Sequence, residues 1–246
     1  MSESVVAVLA FLSMMGAALV GLLRKTRLPS EHPQDDTSSV VRLVGNLFVV
    51  MTSLVLGLMP NSAKNTFETN SRDIRTLATE IILLDRTMRA LGPEAGDARR
   101  HLVEYVQTAL KEANILEENP QAEASLDAAG ISLREIRVSD EQKVAVWNDA
   151  RQLYREVIRQ RWVTLDQYGG TIPPLLITMV ILWLAIIFAS FGYRAPRNTI
   201  VTASLLLAAL LISGTIYLIL DMDTPSSGLT QASNAPFQRA LAQLQR

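Results

Sequence analysis

The sequence contains no cysteine and only two histidines, which excludes disulfides, thiolate nucleophiles and cysteine metal sites. It also lacks a glycine-rich phosphate loop and the G-x-S-x-G context of a nucleophilic serine. The net charge of -1 provides no general attraction for nucleic acid. These absences predict a protein that is not an enzyme, holds no cofactor and does not bind DNA or RNA.

Charge is also missing from four long apolar runs, which are residues 5–23, 40–59, 172–191 and 199–220. None of them contains Asp, Glu or Lys, and Arg42 is their only charged residue. About 20 apolar residues in an α-helix cross the ~30 Å hydrocarbon core of a bilayer. The sequence therefore predicts an all-α integral membrane protein with four transmembrane helices. Residues 1–4 carry no basic group, so the first run is expected to be a retained span rather than a signal peptide.

Short polar connections at 24–39 and 192–198 are expected to join the spans into two hairpins, 5–59 and 172–220. Between the hairpins, residues 61–170 carry frequent charges and three apolar stripes at helical spacing, which predict a soluble helical bundle. The stripes are Ile74, Leu77, Ala78, Ile81, Leu84, Met88 and Leu91; Leu102, Val106, Ala109, Leu110 and Ala113; and Val144, Trp147, Ala150, Tyr154, Val157, Ile158 and Trp162.

Local signals mark the ends of these predicted helices. Gly92-Pro93 should stop the first one, and Ser139 with Gln142 fits a capping box before the third. The stretch 117–138 contains Pro120 and Gly130 and is predicted to be a loop with at most one short helix. Residues 221–246 are predicted to form a polar tail that ends in a short amphipathic helix, with Phe237, Leu241 and Leu244 on one side.

The distribution of basic residues predicts which way the chain crosses the membrane. Lys and Arg next to spans are retained in the cytoplasm, and short loops count most. The two short connections are flanked or occupied by Arg24, Lys25, Arg27, Arg42, Arg194 and Arg197. They are therefore expected in the cytoplasm, with the helical domain and both termini on the other side. Basic residues of the helical domain near the membrane, equal in number but more widely spread, argue against this orientation.

The second span has one helix face that is polar or small from end to end. Arg42, Asn46, Val49, Ser53, Gly57 and Pro60 follow one another at intervals of three or four residues. Polar groups are costly against lipid, so this face should turn toward protein or water. Two interpretations remain open: a helix-packing seam in which Ser53 and Gly57 allow close approach, or the lining of a pore in an oligomer. The pore-lining candidates are Asn46, Val49, Ser53 and Gly57.

Two acidic groups of residues invite an ion-binding interpretation. Asp221 and Asp223 stand at the exit of the fourth span, where they either concentrate cations at a membrane mouth or simply end the helix. Together with Arg42 they are the candidates for an ion entrance. Residues 31–36, EHPQDD, contain four potential ligands, but their spacing matches no established metal pattern. A solvated loop with no metal site is expected there.

Several blocks of sequence occur in the order found in the bacterial bestrophin-like membrane family, which was first catalogued as a domain of unknown function. They are 54–58 (LVLGL) with 62–64, 83–86 (LLDR) with 92–95 (GPEA), 188–192 (FASFG) with 195–198 (APRN), and 220–225 (LDMDTP) with Gly228. The resemblance covers about residues 28–244.

The resemblance implies a homo-oligomer in a bacterial inner membrane, with a lipid bilayer and ions as its partners and an ion pathway along span two. The alternative is a non-transporting scaffold or envelope-sensing module whose helical domain binds a protein partner. The family blocks lie at membrane boundaries, where Asp85 and Arg86 are expected to form an ion pair that orients the bundle.

Overall fold

The computed structural model describes residues 2–24, 35–111, 119–138, 140–166, 172–196, 198–223 and 233–246, apart from the side chains at 24, 35–42, 44, 142 and 166. Every regular element in these ranges is helical, which confirms the all-α class. The helices are α1 (Glu3–Arg24), α2 (Asp35–Leu91), α3 (Gly96–Lys111), α4 (Pro120–Glu135), α5 (Glu141–Asp166), α6 (Pro174–Arg194), α7 (Thr199–Asp223) and α8 (Ala235–Leu244). Four of them, α1, α2, α6 and α7, are long and apolar enough to cross a membrane.

The chain divides into two compact units. The membrane unit comprises Met1–Thr66 and Gly170–Asp223, and the helical unit comprises Phe67–Gly169 and Thr224–Arg246. Helix α2 belongs to both, because its 57 residues continue without interruption through Pro60. The first predicted amphipathic helix is therefore the C-terminal part of the same helix that forms span two. It ends where the sequence predicts, at Gly92, whose φ of 94° lies in the region that favours glycine.

In the membrane unit, α1 packs against α6 and α7. The closest approach is between α1 and α6, where small residues on both helices let the backbones meet. A Cβ on Gly192 would collide with the carbonyl of Ala18, and one on Gly21 would collide with the carbonyl of Ala189. Close backbone approach through small residues is a common way for helices to associate in membranes. The two-hairpin arrangement of the four spans stays a prediction.

A buried hydrogen bond also joins α7 to α1. The Ser213 hydroxyl donates to the backbone carbonyl of Ala7 over 2.7 Å. Most of the buried apolar side chains of the membrane unit form one cluster, which includes Met14, Leu184, Phe188 and Ile216. The Ser213 hydroxyl thus links two spans by a hydrogen bond, as hydroxyl groups commonly do in membranes.

In the helical unit, the C-terminal part of α2 forms a single core with α3, α4, α5 and α8. All seven residues of the first predicted stripe are buried in it. The third stripe is buried only in its middle, since Val144 is 38 % and Trp162 is 61 % exposed. Ala113 and Ser139, which belong to the predicted second stripe and capping box, lie outside the described residues.

The predicted loop at 117–138 is wrong over most of its length, because Pro120–Glu135 form α4. Asn119 caps this helix by accepting the N–H groups of Gln121 and Ala122, and Pro120 occupies a first-turn position where its missing N–H costs nothing. Gly130 fits inside the helix because the ring and hydroxyl of Tyr154 fill the place of its missing side chain. The buried side of α4 consists of Ala122, Leu126, Ala129, Gly130 and Leu133.

The short C-terminal helix α8 is part of the helical core. Phe237, Ala240 and Leu244 are all buried in it. Its C-terminal end is held by α2, since the Nη2 of Arg89 donates to the carbonyls of Gln243 (2.7 Å) and Leu244 (3.1 Å). Arginine is a suitable donor there because helix C-termini carry unpaired carbonyls and a partial negative charge.

The expected ion pair of Asp85 with Arg86 is wrong. Asp85 is buried and binds the Nε of Arg89 at 2.7 Å and the Nε of Arg99 at 2.8 Å, whereas Arg86 is exposed. Adjacent residues of a helix point about 100° apart, so side chains at i and i+1 do not face each other. Asp85 pairs instead with Arg89, four positions further along the same helix, and with Arg99 of α3.

Candidate ion pathway

Within the membrane unit, α2 presents three different faces, because each residue turns the helix by about 100°. One face is covered by the rest of the unit. It contains Thr52, Met59 and Ala63, all buried, and the partly buried Val55 and Leu56 pack against the same cluster. This face attaches α2 to its own unit and leaves the other two faces uncovered.

The second face carries the pore-lining candidates. Asn46, Val49, Ser53 and Gly57 are all exposed, and a Cβ on Gly57 would find no atom within 4 Å. The candidates therefore do share one face of one helix, and nothing in the described part of the chain packs against Gly57. Among the described residues, Gly57 takes part in no packing seam, and a seam between copies and a pore lining are both compatible with the geometry.

The third face is exposed and wholly apolar. It consists of Leu43, Leu47, Val50, Leu54 and Leu58, each at least 59 % exposed. Such a surface is suited to lipid tails, whereas amide and hydroxyl groups are costly there. Asn46 and Ser53 therefore lie on a different face of α2 from the apolar face that is best suited to lipid.

The acidic candidates lie at the end of α7 and are buried in the single chain. Asp221 is 1 % exposed and Asp223 is 2 % exposed. The Oδ2 of Asp223 accepts the backbone N–H of Ile172 at 3.0 Å, which joins the end of α7 to the approach of α6. The Asp223 carboxylate thus links the ends of two spans by a hydrogen bond, in addition to carrying a negative charge. The third entrance candidate, Arg42, has its side chain outside the described residues.

Thr52 is a polar group of α2 that the sequence pattern does not single out. It is 3 % exposed, and its hydroxyl has no hydrogen-bond partner among the described residues. In the sequence, Thr52 is marked only by being a hydroxyl residue next to Ser53 in an apolar run. Because adjacent residues of a helix lie on different faces, this position does not indicate that Thr52 is buried. Its burial separates it from Ser53, which is exposed.

No group of three or more His, Asp or Glu residues in the described ranges is placed to hold a metal ion. Residues 31–34 of the sequence cluster lie outside those ranges, and so do the side chains of Asp35 and Asp36. The candidate path therefore consists of neutral polar groups, Asn46 and Ser53, on an otherwise apolar and small surface. Such groups replace part of the hydration shell of an ion without fixing its charge.

A family model of the bestrophin-like domain matches residues 11–237. Among solved structures, the chain is similar to a bacterial bestrophin homologue from Klebsiella pneumoniae that carries a tyrosine-to-alanine mutation. The TM-score is 0.62 at 13 % identity, with 97 % of each chain covered. It is also similar to a membrane protein with a proline-to-alanine mutation, with a TM-score of 0.63 at 13 % identity, covering 97 % of this chain and 96 % of the other.

No curated protein matches the sequence. At this level of identity the structural likeness establishes the fold. The family is established by the matched domain, which extends over most of the chain. The protein belongs to the bestrophin-like family.

Proposed function

We infer that this protein is an ion channel formed by several copies of the chain, with the Asn46, Ser53 and Gly57 face of α2 lining the path. The observation that carries this proposal is the exposure of that face in the single chain, beside a separate apolar face suited to lipid. A homo-oligomer brings the α2 helices around a common axis and supplies the surroundings that the single chain lacks. Characterised bestrophins are channels, which supports the same function here.

The mechanism that these residues support is passive permeation. The described spans contain no titratable group along the Asn46–Gly57 face, so the path has no proton relay of its own. An ion that passes exchanges part of its water shell for the Asn46 amide and the Ser53 hydroxyl. Val49 and Gly57 set the width of the path at their positions. The valine side chain narrows the path, whereas glycine has no side chain and leaves it wide.

In this proposal, Asp221, Asp223 and Arg42 set the electrostatic potential at the ends of the path. Fixed charges near a narrow entrance change the local ion concentration even when they do not touch the ion. Because the two carboxylates are buried, their effect would act through the potential rather than through direct binding. Asp221→Asn tests this effect, because it removes one of the two carboxylate charges at the end of α7. A reversal potential unchanged by Asp221→Asn would remove Asp221 from the proposal.

Reconstitution in planar bilayers tests the channel directly. Asn46→Leu and Ser53→Leu replace the polar groups of the path by bulky apolar side chains and should lower the single-channel conductance several-fold. Ser204→Leu is the matched control, because Ser204 is an exposed serine on α7 whose hydroxyl donates to the carbonyl of Ile200 in its own helix. Equal conductance in wild type, Ser53→Leu and Ser204→Leu, or no conductance in any ionic condition, would refute the proposal.

A non-transporting scaffold is the second candidate, and the spacing of Ser53 and Gly57 favours it. Small residues four positions apart let two helices approach closely, so the same face can seal an oligomer instead of lining a path. The two functions differ in their response to Gly57→Leu. In a sealed scaffold this change disrupts the oligomer, which native mass spectrometry detects, whereas in a channel the oligomer persists and conductance falls.

A further inference from the structure

A cavity of about 120 Å³ lies on the helical unit between α4 and α5, and three arginines line it. They are Arg134 of α4 and Arg151 and Arg155 of α5. Leu133, Gly130 and Tyr154 complete the lining. The space is several times the ~30 Å³ that one water molecule occupies in the liquid, so a small polyatomic ion fits.

None of these three arginines forms an ion pair with a carboxylate of the described residues. Several other arginines of the unit do, and Arg89, Arg99 and Arg161 each bind one. Arg151 and Arg155 stand one helical turn apart, where like charges repel each other. The cavity is thus lined by three positive groups and by no carboxylate, which favours an anion there.

Two of the lining side chains are held in place by further contacts. The guanidinium of Arg151 lies over the ring of Trp147, 4.6 Å from its centroid, and the Trp147 Nε1 donates to the carbonyl of Leu133 at 2.8 Å. A guanidinium stacked in this way keeps its N–H groups free at the edge of its plane. The Tyr154 hydroxyl donates to the carbonyl of Leu126 at 3.2 Å. These contacts fix Arg151 and Tyr154 in the cavity wall before any ligand arrives, while Arg134 and Arg155 are exposed at its edge.

The Tyr154 hydroxyl, which lines the cavity, carries no negative charge that would repel an anion. Burial raises the pKa of Tyr154, with Asp127 raising it further and Arg134 opposing them, so the hydroxyl stays neutral at physiological pH. Asp127 is not among the residues that line the cavity, whereas the three arginines are. A second cavity of the unit differs, because Glu94 and Asp140 line it together with Arg137 and Lys143 and balance their charge.

We propose that Arg134, Arg151 and Arg155 form a binding site for a phosphate group. Arginine forks match the tetrahedral arrangement of phosphate oxygens and bind them through charge-assisted hydrogen bonds. Arg151 and Arg155 approach from one helix and Arg134 from the other, so one phosphate bridges α4 and α5. The phosphate belongs either to a free ion or small phosphorylated molecule, or to a lipid headgroup. The site is independent of the α2 path and requires no ion conduction.

The test uses the full chain in detergent, with inorganic phosphate as the probe in isothermal titration calorimetry at constant ionic strength. Saturable binding is expected for the wild type, weakened at least about tenfold in Arg151→Gln/Arg155→Gln and in the separate variant Arg134→Gln. Arg100→Gln is the matched control, because Arg100 is an exposed arginine of the same unit that pairs with Asp97. Circular dichroism checks that each variant is folded.

A second arm identifies the source of the phosphate. The chain is placed in nanodiscs of phosphatidylcholine alone or with phosphatidic acid, and hydrogen exchange is measured over 130–155. Protection that requires phosphatidic acid and is lost in Arg134→Gln assigns the site to a headgroup, whereas saturable binding of inorganic phosphate in detergent assigns it to a free anion. The absence of both responses, or an equal loss in Arg100→Gln, overturns the proposal.

Discussion

Gly192 of α6 faces the carbonyl of Ala18 in α1 so closely that a Cβ at position 192 would overlap it. Backbone atoms lie on both sides of this contact, so no flexible side chain can move aside. The crossing of α1 and α6 therefore depends on glycine at this position.

Gly192→Ala should destabilise the membrane unit by about 1–3 kcal/mol, the usual cost of overpacking. The midpoint of unfolding in detergent measures this effect. Gly214→Ala on α7 is the control, because a Cβ there meets no atom within 4 Å. If both variants unfold at the wild-type midpoint, the close crossing of α1 and α6 does not exist in the protein.

Asp85→Asn should destabilise the helical unit by about 3 kcal/mol, because it removes the charge that binds Arg89 and Arg99. The value is at the low end for broken buried pairs, since the arginine side chains are 34 % and 30 % exposed and can reach water. Chemical denaturation followed by circular dichroism measures the loss. Asp97→Asn, which affects an exposed pair with Arg100, should cost less than about 1 kcal/mol. Equal losses would contradict the buried role of Asp85.

Stability should fall at alkaline pH because of Tyr105. Burial raises the pKa of Tyr105 above its ordinary 10.0, with Arg161 only partly opposing this effect. In the unfolded chain the phenol loses its proton near pH 10, while the folded protein keeps it, so the unfolded state binds fewer protons. The stabilisation is complete below pH 10 and is lost as the pH rises through the folded value. Denaturation midpoints should therefore be level from neutral pH to near pH 10 and decline above it.

Tyr105→Phe should flatten this alkaline decline, since phenylalanine has no proton to lose. At neutral pH the same variant should cost about 1–3 kcal/mol, because Arg161 then loses the Tyr105 hydroxyl at 3.1 Å. Tyr154→Phe is a useful comparison, since the pKa of Tyr154 is also raised but its side chain is only partly buried. A decline of equal slope in wild type and Tyr105→Phe would show that another group controls it.

The absence of native cysteine allows the predicted orientation to be tested with single introduced thiols. If the short loops are cytoplasmic, Arg100→Cys in the helical unit should react with a membrane-impermeant maleimide in intact cells. Arg194→Cys at the end of α6 should react only after the cells are opened. Both positions are exposed. The reverse pattern of labelling would place the helical unit in the cytoplasm.

The spans and most of the helical stripes could be predicted from the sequence because each depends on local periodicity. Ile74 to Leu91 repeat at intervals of three and four, and Gly92 adopts a conformation that glycine favours locally. Helix α4 escaped prediction because Gly130 and Pro120 weaken a helical pattern. What makes Gly130 acceptable is Tyr154, which lies 24 positions further along the chain and on another helix.

Contacts between distant segments could not be predicted for the same reason. Asp85 finds Arg99 on α3, and the small residues of α1 meet those of α6 more than 160 positions later. For the candidate path, the sequence predicts which residues share a face but not whether another helix covers that face. Burial of Thr52 beside the exposed Ser53 depends on the packing of α1, α6 and α7, which has no local signature.

The position of α8 has a consequence for the order in which the protein is made. Its buried Phe237 and Leu244 belong to the same core as α3 and α4, yet the ribosome completes both α6 and α7 before it reaches them. At ~5–20 residues per second, the core waits roughly 4–15 s after its last earlier helix has been synthesised. Synthesis of the last two spans therefore precedes closure of the bundle, and a premature stop after α7 would release a helical unit that lacks Phe237 and Leu244 in its core.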